Sequence, residues 1–221
     1  MMADKFGFTE EDMQWIERLD EAAESMDRQR LSAQLWTAWE EGPYVARHKA
    51  LELLGLTGDS QDARRLTDLV LDASCPEEFR LRALSALGKL RCEAVVCRLE
   101  PLFGDPNPFL PKGLVTVLGQ IGGEGSLDLL LRFGPSPRGR QVKREIYQEA
   151  IALAVASWPL GLAMLAQRRS EERPVRLFLR GMDLEVPEIP RYSAFPANDY
   201  MAEHVKSRGL FYKRFKYLVE Q

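Results

Sequence analysis

The chain has little of what metal sites and covalent catalysis are usually made from. Its 221 residues include only three cysteines and two histidines. Three cysteines cannot all pair, and none has the spacing of a metal-binding motif, so we expect buried thiols in a reducing compartment. The histidines, His48 and His204, lie far apart, and neither is followed by glutamate or by a second histidine four residues on. The sequence therefore indicates no metal site and no cofactor.

Long apolar runs are also missing. The uncharged stretch of residues 151–166 has 16 residues, fewer than the about 20 that cross a bilayer as a helix. Ser157, Trp158 and Pro159 interrupt it, which favours a buried pair of helices over a membrane span. The N-terminal stretch is acidic and has no apolar run, so we find no secretory signal and expect a cytoplasmic location.

Nucleotide-binding and sheet signals are absent as well. Residues 122–125 (GGEG) are rich in glycine, but no strand precedes them and no Gly-Lys-Ser/Thr follows. We therefore expect a loop between helices there and no phosphate-binding site. Alternation of apolar and polar residues, which is typical of strands, is not found along the chain.

What the chain does contain is an internal repeat. Residues 47–56 (RHKALELLGL) return as residues 80–89 (RLRALSALGK), a shift of 33 residues. Residues 114–121 (LVTVLGQI) form a weaker third version. A fixed period of this size is typical of stacked helical units, and such stacks mostly bind other macromolecules.

Helical patterns fill most of the chain and come in pairs separated by short Gly, Asp or Ser turns. Thr9 and the acids after it start a first helix, and a second covers residues 31–39. Pro101 should kink the predicted helix of residues 93–103 if that helix continues through it. The predicted pairs are 43–56 with 61–73, 76–90 with 93–103, 110–121 with 125–133 and, as a divergent fourth copy, 141–156 with 159–167.

Residues 76–90 (PEEFRLRALSALGKL) resemble the first helix of a HEAT-like repeat of the kind found in phycobilin-lyase-type proteins. Asp105-Pro106 resembles the pair that opens such a repeat, and the resemblance covers residues 43–133 well and the flanking helices loosely. It implies an all-α fold in which residues 43–170 form a right-handed α-solenoid of helical pairs. Residues 1–42 would then be an acidic N-terminal helical cap.

Equivalent positions of the repeat have expected structural roles. Ala50 and Ala83 are small where two helices are expected to cross closely. Three glycines, Gly55, Gly88 and Gly119, are expected to permit the turn out of the first helix. In resembling repeats the arginine at positions 47 and 80 braces the neighbouring repeat, which makes Asp72 and Asp105 the expected acceptors.

Residues 171–221 form a C-terminal extension of different character. Residues 183–196 contain three prolines, which favours an extended strap lying across helices. Residues 200–219 are a predicted helix, which either caps the end of the solenoid or binds a partner. Its basic and aromatic side chains are secondary binding candidates: Tyr212, Lys213, Arg214 and Lys216.

Charge is divided unevenly along the chain. Residues 1–42 carry a net charge of −7 and residues 134–221 carry +5, within a total of −3. Oppositely charged ends favour an oriented approach of a partner, or a homo-oligomer formed through head-to-tail contact. The low pI of about 5.6 makes nucleic acid an unlikely partner.

The features together favour a cytoplasmic, bacterial protein that binds another protein through one face of a solenoid, as an adaptor, assembly factor or inhibitor of the immunity type. The alternative is an enzyme of the lyase or DNA-repair type with its active residues on the concave face. The HEAT-like iron hydroxylases carry His-Glu pairs, which this chain lacks.

Three arginines are the primary binding candidates. The resemblance implies that the second helix of each repeat lines the concave side, and the 33-residue shift makes Arg65 equivalent to Arg98. Arg132 extends the row into the third, shorter copy. A row of guanidinium groups could hold the carboxylates of an acidic partner. Alternatively, Arg65 and Arg98 only pair with nearby acids such as Asp62, Asp68 and Glu100.

Overall fold

The computed structural model describes residues 9–24, 27–171 and 173–181, and in these ranges the chain forms eleven α-helices and no β-strand. The prediction of an all-helical chain is confirmed for this part of the protein. The helices are α1 Glu10–Glu24, α2 Arg28–Glu41, α3 Tyr44–Thr57, α4 Ser60–Leu71, α5 Glu77–Leu90, α6 Val96–Leu99, α7 Phe109–Ile121, α8 Gly123–Phe133, α9 Arg144–Ala156, α10 Gly161–Glu171 and α11 Arg173–Gly181.

Two predicted elements lie outside the described residues, namely the strap of residues 183–196 and the helix of residues 200–219 with its candidates Tyr212, Lys213, Arg214 and Lys216. Among the described helices, none is both long and apolar enough to cross a membrane. The uncharged stretch of residues 151–166 is divided between α9 and α10, as predicted from its Ser-Trp-Pro interruption.

The chain divides into two compact units, unit 1 of residues 1–95 and unit 2 of residues 96–221. The division falls inside residues 43–170, the range predicted as a single solenoid. Within each unit, the main helix contacts join a helix to the next helix in sequence or to the next but one. This order of packing is what a chain of successive helical pairs requires.

Two repeat glycines allow close helix packing rather than turns, so their predicted role was wrong. Gly55 lies inside α3, where a Cβ would come within 2.9 Å of Ala86 Cα in α5. Gly119 lies inside α7, and a Cβ there would come within 2.6 Å of Ala150 Cα in α9. The same contact therefore recurs in both units. It brings α3 against α5 in unit 1 and α7 against α9 in unit 2.

The repeat arginines brace the preceding repeat, as predicted, but through backbone carbonyls. Arg80 is buried and its Nε donates to the Val70 carbonyl in the last turn of α4, at 2.8 Å. Arg47 Nε donates in the same way to the Gly42 carbonyl at the end of α2, at 2.9 Å. The last carbonyls of a helix have no partner within it, so each guanidinium completes a helix end. Asp72, an expected acceptor, accepts hydrogen bonds from Ser74, which lower its pKa, and the charge of Arg80 lowers that pKa further.

The second helix of the second repeat is broken. Residues 93–103 were predicted as one helix, but they form a 3₁₀ turn, Glu93–Val95, then the single turn of α6, then a second 3₁₀ segment, Glu100–Gly104. Pro101 stands at the start of that last segment. Proline has no N–H group for the α-helical ladder, so the chain tightens into 3₁₀ geometry where a continuous helix would kink.

The glycine-rich residues 122–125 are mostly helical, so the expectation of a loop was wrong. Only Gly122 separates α7 from α8, with a φ of 75° that favours glycine. The Gly123 N–H donates to the Ser157 hydroxyl at 3.1 Å. The Ser157 side chain therefore accepts a hydrogen bond from the first turn of α8.

Candidate functional site

Arg65, the first of the predicted binding arginines, lies on the exposed side of α4 and contacts α2 of its own unit. Its guanidinium carbon is 3.9 Å from the centroid of the Trp36 ring. Its Nη2 is 3.1 Å from Glu40 Oε1, and the Arg65 side chain is 44% exposed. An ion pair this exposed contributes little to stability. The arginine therefore covers a tryptophan and pairs with an acid.

Asp62, one of the acids expected to pair with Arg65, is buried and already satisfied. Its Oδ1 accepts hydrogen bonds from Ser32 Oγ and Trp36 Nε1, both at 2.7 Å. Its Oδ2 accepts the backbone N–H of Asp59 at 3.0 Å, which completes the cap of α4. This carboxylate ties α2 to α4 and has a structural role. The pairing expected for Arg65 is therefore made by Glu40.

Arg132 is held between two carboxylates of unit 2. Its Nη1 is 2.8 Å from Glu100 Oε1 and its Nε is 2.8 Å from Asp128 Oδ2. The hydrogen bond to Glu100 raises the pKa of Arg132. Asp128 also pairs with Arg168 of α10. Glu100, which the sequence offered as a partner for Arg65 or Arg98, thus pairs with Arg132.

Arg98 is exposed on α6, and it too has an interaction partner. Arg65 belongs to unit 1, whereas Arg98 and Arg132 belong to unit 2. The row of three arginines therefore stays a prediction. The two whose partners are described, Arg65 and Arg132, are already paired, which lowers their value as sites for an acidic partner.

A groove in unit 2 is a stronger candidate for a binding site. It has a volume of about 610 Å³ and is open to the surface. Among the described residues that line it are three bases, Arg140, Lys143 and Arg144, and no acid. The remaining described lining residues are Gly134, Pro135, Gly139, Gln141, Val142, Tyr147, Pro174, Leu177, Phe178 and Gly181.

One wall of the groove is an apolar stripe on α11. Pro174, Leu177, Phe178 and Gly181 recur at the spacing of one helix face. Two other residues of α11, Val175 and Leu179, are buried in the core of unit 2. Leu177 is 55% exposed. A helix that is apolar on more than one side usually has a neighbour on each, so the stripe marks a surface suited to an additional contact.

The facing wall is held in place by Arg138. Its Nη1 donates to the carbonyls of Phe103 and Asp105, each at 3.3 Å. The Gly139 N–H donates to Ser136 Oγ at 3.0 Å and starts a short 3₁₀ turn, Gly139–Gln141. The turn and the start of α9 place Arg140 and Lys143 at the rim, where both are exposed.

Tyr147 of α9 is the polar group at the floor of the groove. Its ring lies 5.2 Å from that of Phe178 in an edge-to-face contact, and the residue is 1% exposed. Its buried hydroxyl has no hydrogen-bond partner among the described residues. Burial raises the pKa of Tyr147, so the hydroxyl keeps its proton and can donate. A buried polar group without a partner destabilises a fold by about 1–3 kcal/mol.

The groove was not predicted from the sequence. In the sequence, Arg140, Lys143 and Arg144 stand out only as part of the C-terminal excess of bases. The available signal was the composition of α11, in which residues 174, 175 and 177–179 are all apolar. Such a helix needs more than one apolar neighbour, so the spacing of these residues indicates a further contact.

The thiols do not form a site, and the expectation that they are buried was wrong. Cys75, Cys92 and Cys97 are all free, and Cys97 is exposed. Among the described residues, no group of three His, Cys, Asp or Glu side chains could hold a metal ion.

Neither a protein-family model nor a curated protein matches the chain. Its function must therefore be inferred from the side chains themselves.

Proposed function

We propose that the chain is a protein-binding module built from HEAT-like helical pairs that stack as a right-handed α-solenoid. The order of helix packing within each unit supports this fold. So does the contact that recurs between Gly55 and Ala86 in unit 1 and between Gly119 and Ala150 in unit 2. A stack of such pairs presents continuous surfaces, which suit the binding of other macromolecules.

The groove of unit 2 carries the functional part of the proposal. Its described lining combines three bases and no acid with the apolar stripe of α11. This chemistry fits a short segment of another protein in which carboxylates alternate with apolar side chains. The carboxylates would pair with Arg140 and Lys143 at the rim, and apolar side chains would pack on Leu177 and Phe178.

Binding alone is the activity that we assign to the chain. An adaptor, an assembly factor or an inhibitor needs only a surface that selects one partner segment, without a cofactor or a catalytic residue. We place the protein in the cytoplasm, where thiols stay reduced. Its three free cysteines support this location.

Selection from a random peptide library displayed on phage, with the full chain as bait, tests this function. We expect enrichment of peptides with two or more acids beside apolar residues. The double variant Arg140→Glu, Lys143→Glu should bind these peptides at least about tenfold more weakly, because reversed charges repel the carboxylates. The matched control is Arg176→Glu, Arg180→Glu, two exposed bases of α11 that do not line the groove.

The control should keep the affinity of the wild-type chain. Enriched peptides without acids would contradict the proposed partner chemistry. Acidic peptides that bind the groove variant and the wild-type chain equally well would place the binding surface elsewhere.

A further inference from the structure

The described part of α11 reaches the groove at its last residue. Gly181 is the last residue of that helix and lines the groove. Residues 183–190, which lie outside the described residues, follow it directly with the sequence DLEVPEIP. A residue spans at most about 3.6 Å of chain, so Asp183 is within about 7 Å of Gly181. This segment is therefore the part of the C-terminal extension with the shortest route to the groove.

Residues 183–190 have the composition that we propose for the partner segment, in which carboxylates alternate with apolar side chains. Three carboxylates, those of Asp183, Glu185 and Glu188, alternate with Leu184, Val186 and Ile189, and no base interrupts them. The groove supplies the opposite charge and an apolar wall. Charge complementarity and the short distance along the chain from Gly181 thus point to one occupant.

We propose that residues 183–190 of the same chain bind in the groove and compete there with the partner segment. This inference rests on the proposed function and adds a regulatory contact to it. The carboxylates of the segment pair with Arg140 and Lys143, and its apolar side chains cover Leu177 and Phe178.

A tethered segment is an effective competitor even when its intrinsic affinity is low. A short linker gives an effective concentration of about 1 mM. If the segment's own Kd is about 0.1 mM, the groove is open only about one tenth of the time, and the apparent affinity for an external segment falls about tenfold. A partner must therefore bind more tightly than the chain's own segment, or act after that segment has been released.

Zero-length cross-linking of the full chain locates the occupant of the groove. A carbodiimide joins the Lys143 amine to a carboxylate that pairs with it, with loss of water. We expect mass spectrometry to find Lys143 linked to Asp183, Glu185 or Glu188. Mixing unlabelled chain with ¹⁵N-labelled chain separates the two possible origins of the segment. Links within one chain support the proposal, whereas mixed-isotope links would assign the segment to a second copy and overturn it.

Hydrogen exchange gives a second measurement that does not depend on cross-linking chemistry. The variant Asp183→Lys, Glu185→Lys, Glu188→Lys should release the segment, so the amides of residues 139–147 and 174–181 should exchange faster. The matched control reverses three later acids, Asp199→Lys, Glu203→Lys and Glu220→Lys, and should leave this exchange unchanged. Equal exchange in wild type and in the first variant would overturn the proposal.

A titration separates failure of this inference from failure of the proposed function. The probe is a synthetic peptide of residues 183–190 with both ends blocked. It should bind the first variant about tenfold more tightly than wild type, because the groove of the variant is open. Equal binding to both would overturn self-occupancy and leave the proposed function standing. No binding to either would contradict the proposed function as well.

Discussion

The Arg65 guanidinium lies over the face of Trp36, 3.9 Å from the ring centroid, and Glu40 holds it there. Arg65, which was predicted to contact a partner, therefore already contacts two residues of its own unit. It shields an aromatic ring, and its charge is paired.

The contact with Trp36 predicts the effect of removing Arg65. Arg65→Ala should expose the indole, so acrylamide should quench the fluorescence of Trp36 more strongly than in wild type. Trp36→Phe gives the background from the other three tryptophans. The free energy of unfolding should fall by no more than about 1 kcal/mol, since an exposed cation–π contact contributes about that much. A loss of 3 kcal/mol in urea unfolding would assign Arg65 a structural role instead.

Ala83 tests the close packing of α5. The residue is completely buried, so Ala83→Asp would force an unpaired carboxylate into the core of unit 1. The cost is several kcal/mol, a large part of the stability of a domain. We expect circular dichroism to show loss of the cooperative thermal transition. Ser85→Asp is the matched control on the exposed side of the same helix and should melt close to wild type.

The repeated glycine contact predicts an order of destabilisation. Gly119→Ala should cost more than Gly55→Ala, because its Cβ would come within 2.6 Å of Ala150 Cα, against 2.9 Å from Ala86 Cα for Gly55. Forcing these helices apart should cost about 1–3 kcal/mol in each case. Gly104→Ala, where a Cβ would meet nothing within 4 Å, is the control and should be close to neutral. Urea unfolding of the three variants measures the order, and a reversed order would contradict the geometry.

His48 of α3 is enclosed by aromatic rings in unit 1. Its ring lies 4.3 Å from that of Tyr44 and 4.9 Å from that of Phe79, and both ring nitrogens lack hydrogen-bond partners among the described residues. Burial, and then the positive charge of Arg82, lower the pKa of His48, while the carboxylate of Glu78 opposes this. The imidazole is therefore neutral in the folded chain at pH 7.

This shift predicts that acid destabilises the fold through His48. The unfolded chain takes up a proton near the ordinary histidine pKa of about 6.5, whereas the folded chain takes one up only at lower pH. Stability is therefore lost as the pH falls below that value, until the folded pKa is reached. His48→Phe removes this dependence. The melting temperature of the variant, relative to that of wild type, should therefore rise as the pH is lowered from 7 to 5. A constant difference over that range would contradict the shift.

Helix positions and end signals were predictable because they depend on neighbours in sequence. Thr9 and Asp12 cap α1 as the local pattern predicts, with Thr9 N–H donating to Asp12 Oδ2 at 2.9 Å and Asp12 N–H donating to Thr9 Oγ1 at 3.1 Å. The effect of Pro101 was predictable in kind, because a missing N–H group is a local property. Whether the chain would kink or tighten there depended on its surroundings.

The sequence by itself determined that the described part of the chain is helical, because the spacing of apolar residues is a local, periodic property. Only the tertiary structure decided what the side chains of distant helices do together. Gly55 looked like a turn residue until Ala86 was placed against it, and Tyr147 lines a groove because the Phe178 ring of α11 lies against it. Such contacts depend on side chains brought together by packing, which no local spacing records.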